Sequence, residues 1–181
     1  MPTGFVQICS NLFFGYLADK TKQRSLVAIS AHLVSLFFIS LLVGLSHVGP
    51  LHLRFGQLVA YFFIVGNGST LYFSVISMVS SNTLGYTKKT TVNALVFTRM
   101  AAAYLIGPQI FRDSPYYFKA KYACIRLWVL ALLLLVTIYA LNVFENKKRD
   151  REHETNQIEH PKGVEFLDLT DRENHQFRYV A

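Results

Sequence analysis

Long uncharged apolar runs constrain this chain more than any other feature. Every residue from Trp128 to Val136 is apolar, and this run lies inside a longer stretch, 124–144, whose single charged residue is Arg126. A helix needs about 20 mostly apolar residues to cross the hydrocarbon core of a bilayer. Only helices and closed barrels satisfy their backbone hydrogen bonds in lipid, and such runs are too long for barrel strands. The sequence therefore predicts an all-α integral membrane protein.

Five such runs are present, and we expect each of them to form a transmembrane helix. They cover about 4–18, 26–45, 57–79, 92–111 and 124–144. The predicted transmembrane bundle therefore occupies residues 1–145. The polar segment 146–181 has too few apolar residues for a domain of its own. We expect it to be a cytosolic tail that is largely disordered beyond its first helical turns.

The basic residues are distributed unequally between the two sides of this predicted bundle. A net charge of +7 would suit a nucleic-acid partner if the cations clustered on a soluble fold, but here they flank apolar runs, so we expect no nucleic acid. With five crossings, one side carries nine Lys and Arg residues and the other carries five. The positive-inside rule then places the C-terminus in the cytosol. The lipid bilayer, most simply the plasma membrane, is the expected environment.

Signals for secretion and for catalysis are missing from the sequence. The start, Met1-Pro2-Thr3-Gly4, lacks the basic region of a signal peptide, and the first apolar run is short, so we expect the chain to begin within a longer protein. Cys9 and Cys124 fit no metal or redox spacing. The Ser, His and Asp residues are scattered over both sides of the predicted bundle. We therefore expect no enzyme, no cofactor and no metal site.

Polar side chains inside the apolar runs are the candidates for substrate contact. Arg99 lies near the middle of the fourth run, where a charge is costly and is functional by default; the alternative is that it carries no role. Asn67 stands between two glycines in "VGNGST", 65–70, where a locally weakened helix could line a transport site. The alternative for Asn67 is a hydrogen bond between helices. Tyr61 and Tyr72 share this run and are weaker candidates.

Two charged loops lie between the runs. The first, "GYLADKTKQRS", 15–25, offers Gly15 for close approach of helix ends, Asp19 as a cap for helix N–H groups, and the cations Lys20 and Arg24. It is either a hairpin that sets topology or a conformational latch. The second loop holds Asn82, Gly85, Lys88 and Lys89, and a role in setting topology is the simpler interpretation.

Four segments of the chain resemble one family of membrane transporters. "GYLADKTKQR" resembles the cytoplasmic loop signature of the major facilitator superfamily, with Thr21 and Lys22 where that signature usually has a glycine. The segments "SSNTLGYTKKTTVNALVF", 80–97, and "IGPQIFRDSPYY", 106–117, resemble the allantoate permease branch of the fungal anion:cation symporters. So does the ending "FLDLTDRENHQFRYV", 166–180.

This resemblance implies a fold and a function. It implies that the five runs are helices eight to twelve of a twelve-helix transporter, which is a partial C-terminal half of the major facilitator fold. It also implies a proton-coupled symporter of small organic anions whose site lies between two halves and whose first loop contacts the opposing half. The expected partners are then the anion, the proton and an N-terminal half. Because that half is missing here, we do not expect this chain to transport alone.

Two alternatives to a split transporter stay open. The chain could be a non-transporting membrane protein that associates with a full-length relative, or an inactive remnant. The coding sequence could also continue upstream of Met1, so that the complete protein is a full-length permease. The sequence does not identify the substrate.

Overall fold

The computed structural model describes residues 2–48, 53–112, 117–156, 170–171 and 177–180. Helices account for most of this part of the chain, and it contains no strand. The five helices are α1 (Pro2–Thr21), α2 (Arg24–Val48), α3 (Arg54–Ser81), α4 (Tyr86–Ile110) and α5 (Phe118–Asn156). This confirms the predicted all-α class.

Four of the five helices enclose the apolar run that predicted them, because polar residues extend them at both ends. α4 begins earlier than its run, at Tyr86, and ends at Ile110. α5 is the longest, with 39 residues, and continues through the charged residues after Phe144. By length and composition, three segments of the described chain could cross a membrane: Arg24–Ser46, Arg54–Ser81 and Phe118–Glu152.

The other two helices are less suited to crossing a membrane alone. α1 has 20 residues and ends with Asp19, Lys20 and Thr21. α4 carries two lysines in its first turn and Arg99 at its centre. A charge near the bilayer centre costs about 2.5–3.5 kcal/mol on insertion scales, so these cations lower the tendency of α4 to insert.

α2 and α3 form the centre of the bundle. α3 packs against both α1 and α2, and α2 also packs against α5. Ala28, Ala31 and Ala60 are fully buried at these contacts, and so is Ser35. Small residues let helix backbones approach closely, which is the usual way that membrane helices associate. Phe14, Val27, Ala31 and Leu71 form the buried cluster between α1, α2 and α3, and Trp128 of α5 packs against it.

Gly66 shows how closely α1 and α3 approach. A Cβ atom at this position would lie 2.7 Å from Val6 Cγ1 and 3.3 Å from the backbone nitrogen of Gln7. Real Cβ contacts are not that short, so only glycine fits without movement of α1. Gly66, one of the two glycines beside Asn67, is therefore a packing residue.

α4 lies at the edge of this bundle. It has no buried residue, and its few backbone contacts are mainly with α5. One side-chain hydrogen bond joins it to α3, from the Tyr72 hydroxyl to Met100 Sδ, at 3.3 Å. Many of its large apolar side chains are exposed, among them Leu95, Phe97, Leu105 and Ile106.

The two charged loops and the C-terminal residues meet at one end of the bundle, which we call the basic end. It comprises the C-termini of α1, α3 and α5 and the N-termini of α2 and α4. Arg24 Nη1 donates to Ser77 Oγ at 3.0 Å and to Ser81 Oγ at 3.1 Å, which ties the start of α2 to the end of α3. That this end faces the cytosol stays a prediction.

Candidate functional site

The candidate site is a cavity of about 430 Å³ that is lined by α2, α3, α4 and α5. Its walls are mostly apolar, and leucines of α5 supply much of them. Three polar side chains reach it: His32 from α2, Tyr72 from α3 and Arg99 from α4. An apolar pocket with a few convergent polar groups is the usual form of a small-molecule site.

Arg99 provides the positive charge of this cavity. It lies near the middle of α4, is exposed, and also lines a neighbouring cavity of about 500 Å³ together with Gln7, Ser69 and Tyr72. Arginine stays protonated in proteins and can donate two parallel hydrogen bonds to a carboxylate. The structure therefore brings together Arg99 and Tyr72, two of the four predicted substrate contacts.

His32 is a member of the site that sequence reasoning missed. Its side chain is 5% exposed and its Nε2 lies 2.9 Å from the carbonyl oxygen of Trp128. Because a carbonyl oxygen can only accept, Nε2 carries the hydrogen. The imidazole also packs against the Trp128 ring, with 4.7 Å between centroids. A histidine inside an apolar run is as unusual as an arginine, and that signal could have found it.

The second nitrogen of His32 is left without a partner. Nδ1 is buried and has no hydrogen bond to any residue that the structure describes. With the hydrogen on Nε2, Nδ1 of the neutral ring holds a free lone pair. This nitrogen can therefore accept a proton inside the bundle.

Asn67 and Tyr61 lie apart from this cavity. Asn67 is 2% exposed, and it is buried beside Gly66 and Thr70. Tyr61 is 52% exposed and stands eleven residues before Tyr72, about 16 Å along the helix. The structure does not bring these two residues to Arg99, and their part in substrate binding stays a prediction.

Seven curated proteins match this chain significantly, and all seven are named as transporters or permeases. The chain is 33% identical over 182 residues to an uncharacterized transporter of Schizosaccharomyces pombe, covering 99% of this chain and 34% of the relative. It is 33% identical to the allantoate permease of Saccharomyces cerevisiae, over 99% of this chain and 34% of that protein. An MFS-type transporter of Penicillium expansum is 30% identical, over 100% of this chain and 36% of its own length.

The chain belongs to the allantoate permease family of the major facilitator superfamily. It spans about a third of the length of the curated relatives that it matches. No family model and no solved structure matches it. Together with its three helices of membrane-spanning length, these relatives make it an integral membrane protein that corresponds to part of a transporter.

The first loop of this permease-family chain differs from prediction at two positions. A Cβ atom on Gly15 would meet no atom within 4 Å, so Gly15 does not mediate a close approach in this chain. Asp19 lies inside the last turn of α1, because that helix continues to Thr21, so its carboxylate does not cap a helix N-terminus. Lys20 lies over the Tyr16 ring, 5.9 Å from its centroid.

A polar cleft of about 400 Å³ opens beside this first loop, between α1 and α3. Asp19 and Arg24 line it at the basic end, and Asn11 and Thr70 line it deeper in the bundle. The Thr70 hydroxyl donates to Asn11 Oδ1 at 2.8 Å, a hydrogen bond between two helices. The family resemblance predicts that the first loop contacts an opposing half, and that role stays a prediction.

The second loop contacts the C-terminus of the chain. Asn82 pairs with the backbone of Val180, and Lys88 forms an ion pair with Asp171. Gly85, which precedes α4, has φ of 86°, a conformation that glycine adopts without steric cost. Lys89 is exposed. Residues 170–171 and 177–180 therefore dock on the bundle, whereas the predicted disorder of 157–169 and 172–176 lies outside the described residues.

Proposed function

We propose that this chain forms the C-terminal part of a transporter that moves small organic anions together with protons. The observation that carries the proposal is the cavity that joins a fixed cation, Arg99, and a buried proton acceptor, His32. A relative is named for allantoate, an organic anion. We assign one group of this cavity to the anion and one to the proton.

Arg99 is the group that we propose for the anion. A guanidinium in an apolar cavity attracts a carboxylate strongly, because the surroundings screen the charge less than water does. Tyr72 lines the same cavity, and its hydroxyl donates to Met100 Sδ, a weak acceptor that a substrate oxygen could replace. A carboxylate bound here would offset the cost of holding Arg99 within a membrane.

His32 is the group that we propose for the proton. Nδ1 takes the proton, and Nε2 keeps its hydrogen bond to the Trp128 carbonyl, so the ring need not rotate. The titratable groups that share the cavity are Tyr72 on α3 and Arg99 on α4; the lining residues of α5 include none. A bound anion would therefore compensate the charge of Arg99 beside His32.

Trp128 gives a direct test, because it is the single tryptophan of the chain and lies in the cavity wall. The chain would be reconstituted in lipid nanodiscs and titrated with allantoate while Trp128 fluorescence is recorded. We expect a saturable change that Arg99→Gln removes and that Lys89→Gln, an exposed cation at the end of the same helix, retains. An equal response in the Arg99→Gln variant would contradict this site.

Transport itself needs a second experiment. Because the chain spans about a third of its relatives, we propose that transport requires the remaining helices of such a protein. The chain would be co-expressed with the first two-thirds of the Saccharomyces cerevisiae allantoate permease in cells without that permease. We expect uptake of labelled allantoate from the pair and none from the chain alone.

The proton partner is tested in the same cells. We expect His32→Gln to abolish the dependence of uptake on an inward proton gradient, with fluorescence-detected binding retained. If uptake stays gradient-dependent in this variant, His32 is not the coupling group. If the two parts co-purify but no variant takes up allantoate, the chain is a partner of a full-length relative and the proposed function is wrong.

A further inference from the structure

The last described residues of the chain are held by Arg149, a side chain on α5 that is only 5% exposed. Its Nη1 donates to the Phe177 carbonyl at 2.8 Å, and its Nη2 donates to the Asp171 carbonyl at 2.9 Å. Its guanidinium also lies over the Tyr179 ring, 4.8 Å from the centroid. Arginine is seldom buried unless its charge and donors are satisfied. These contacts explain why Arg149 can be buried.

Two asparagines pair with consecutive peptide groups beside Arg149. Asn146 of α5 donates to the Tyr179 carbonyl at 2.8 Å and accepts the Tyr179 N–H at 2.9 Å. Asn82, which follows α3, donates to the Val180 carbonyl at 3.2 Å and accepts the Val180 N–H at 2.8 Å. Each amide therefore satisfies both backbone groups of one residue, as a neighbouring strand would. The dipeptide Tyr179-Val180 thus bridges α5 and the loop between α3 and α4.

Asp171 makes the connection to α4. Its carboxylate is buried, forms an ion pair with Lys88 in the first turn of α4, and accepts the Tyr179 hydroxyl at 2.8 Å. Burial raises the pKa of Asp171, but the hydrogen bonds from Lys88 and Tyr179 outweigh it and hold that pKa below the ordinary value. Burial, and then the hydrogen bond to the Asp171 carboxylate, raises the pKa of the Tyr179 hydroxyl.

We infer that Asp171 and residues 177–180 form a clasp that fastens the first turn of α4 to α5. The reason is the contrast between this cluster and the rest of α4. α4 buries no side chain and its backbone makes few contacts, mainly with α5, so packing holds it weakly. The clasp instead supplies an ion pair at Lys88 and a bridge from Asn82, in the loop between α3 and α4, to α5. Charge-assisted and buried hydrogen bonds at this end replace the missing packing.

The clasp also has a consequence for the cavity. Arg99 reaches the cavity from α4, and His32 reaches it from α2, which packs on α5. A fastened α4 therefore fixes the distance between these two groups. This consequence rests on the proposed function, whereas the clasp itself does not, and the experiment below measures the clasp without any substrate.

Hydrogen exchange of the whole chain in nanodiscs, followed by mass spectrometry, tests the clasp. The amides of Tyr179 and Val180 both donate within it, so we expect them to be protected in the unaltered chain. Arg149→Gln removes the central donor. We expect exchange of 177–180 to rise on the order of tenfold, with a smaller rise in 86–91 at the start of α4. The matched control is Lys147→Gln, which removes an exposed cation two residues away.

A second variant separates loss of the clasp from general unfolding. Deletion of residues 177–181 removes the docked segment without altering any helix, and α4 should again exchange faster in its first turn while α2 and α3 keep their protection. Unprotected amides at Tyr179 and Val180 in the unaltered chain would show that no clasp exists. Unchanged exchange of 86–91 after the deletion would show that the clasp does not hold α4. Either result overturns the inference.

Discussion

α2 and α4 have the same length, 25 residues, and are held in opposite ways. α2 lies between α3 and α5 and buries eight side chains, from Ser25 to Val43. α4 buries none, carries three cations and depends on polar contacts at the basic end. This contrast indicates that hydrophobicity alone does not bury a membrane helix, since lipid is as apolar as a neighbouring helix. α2 is buried because its small residues allow close approach and because it lies between α3 and α5.

The largest effect on the free energy of unfolding should come from a larger side chain where α2 packs against α1 and α3. Ala31 is fully buried against α1 and α3, so Ala31→Leu would insert a larger side chain into a packed interface. We expect a loss of about 2–3 kcal/mol in the free energy of unfolding. Unfolding in mixed detergent and denaturant, followed by circular dichroism, would measure it.

The matched change in α4 is Ala102→Leu, at an exposed position. We expect its free energy of unfolding to stay within about 0.5 kcal/mol of the unaltered chain. Equal losses of stability in the two variants would mean that α4 is packed as tightly as α2.

A smaller effect on the free energy of unfolding should come from substitution of two glycines of α3. Gly66→Ala would place a Cβ atom 2.7 Å from Val6 Cγ1, whereas a Cβ atom on Gly68 would meet nothing within 4 Å. Alanine favours a helix by up to about 1 kcal/mol over glycine, and only Gly66→Ala must move α1. We expect Gly66→Ala to be less stable than Gly68→Ala by about 1–2 kcal/mol in the same unfolding measurement. If the two are equal, α1 does not approach α3 at Gly66.

The smallest effect concerns pH and is confined to the clasp. The pKa of Asp171 is lowered by docking, so its contribution is complete above the ordinary carboxyl pKa of about 4 and is lost as the pH falls through the lower, docked value. The pKa of Tyr179 is raised, so its contribution is complete below about 10 and is lost as the pH rises through the higher, docked value. Docking of the C-terminus should therefore not change between about pH 5 and 9.

A spin label at the C-terminus can measure this dependence. Ala181→Cys would be labelled in a chain whose native cysteines are replaced by serine, and the mobility of the label recorded against pH. We expect mobility to rise below about pH 4 in this chain. Asp150→Asn, which removes the exposed partner of Arg178, should keep the acid transition, and Asp171→Asn should abolish it. Release near neutral pH would mean that another group controls docking.

The sequence predicted the helices better than it predicted the site. Arg99 and Tyr72 are predicted substrate contacts because polar groups stand out in apolar runs; they share a cavity, and their role in binding stays a prediction. Asp19 was misjudged, because α1 continues past the end of its apolar run through residues that are tolerated at a helix end outside lipid. His32 and Arg149 are not among the predicted site residues, although both are buried.

The amino-acid sequence alone determines the number of helices in the described chain and their approximate extents. It also determines the family and the grouping of charges in the loops and tail. Lengths of apolar runs and positions of charges encode these features directly. The rotation of each helix does not follow, since the apolar residues of α2, α3 and α5 are spread around the helix and are not gathered on one face. His32 and Trp128 are 96 residues apart, and Asn82 and Val180 are 98 apart. Their pairing depends on which faces pack together, and the tertiary fold sets that through the fit of small residues at each contact.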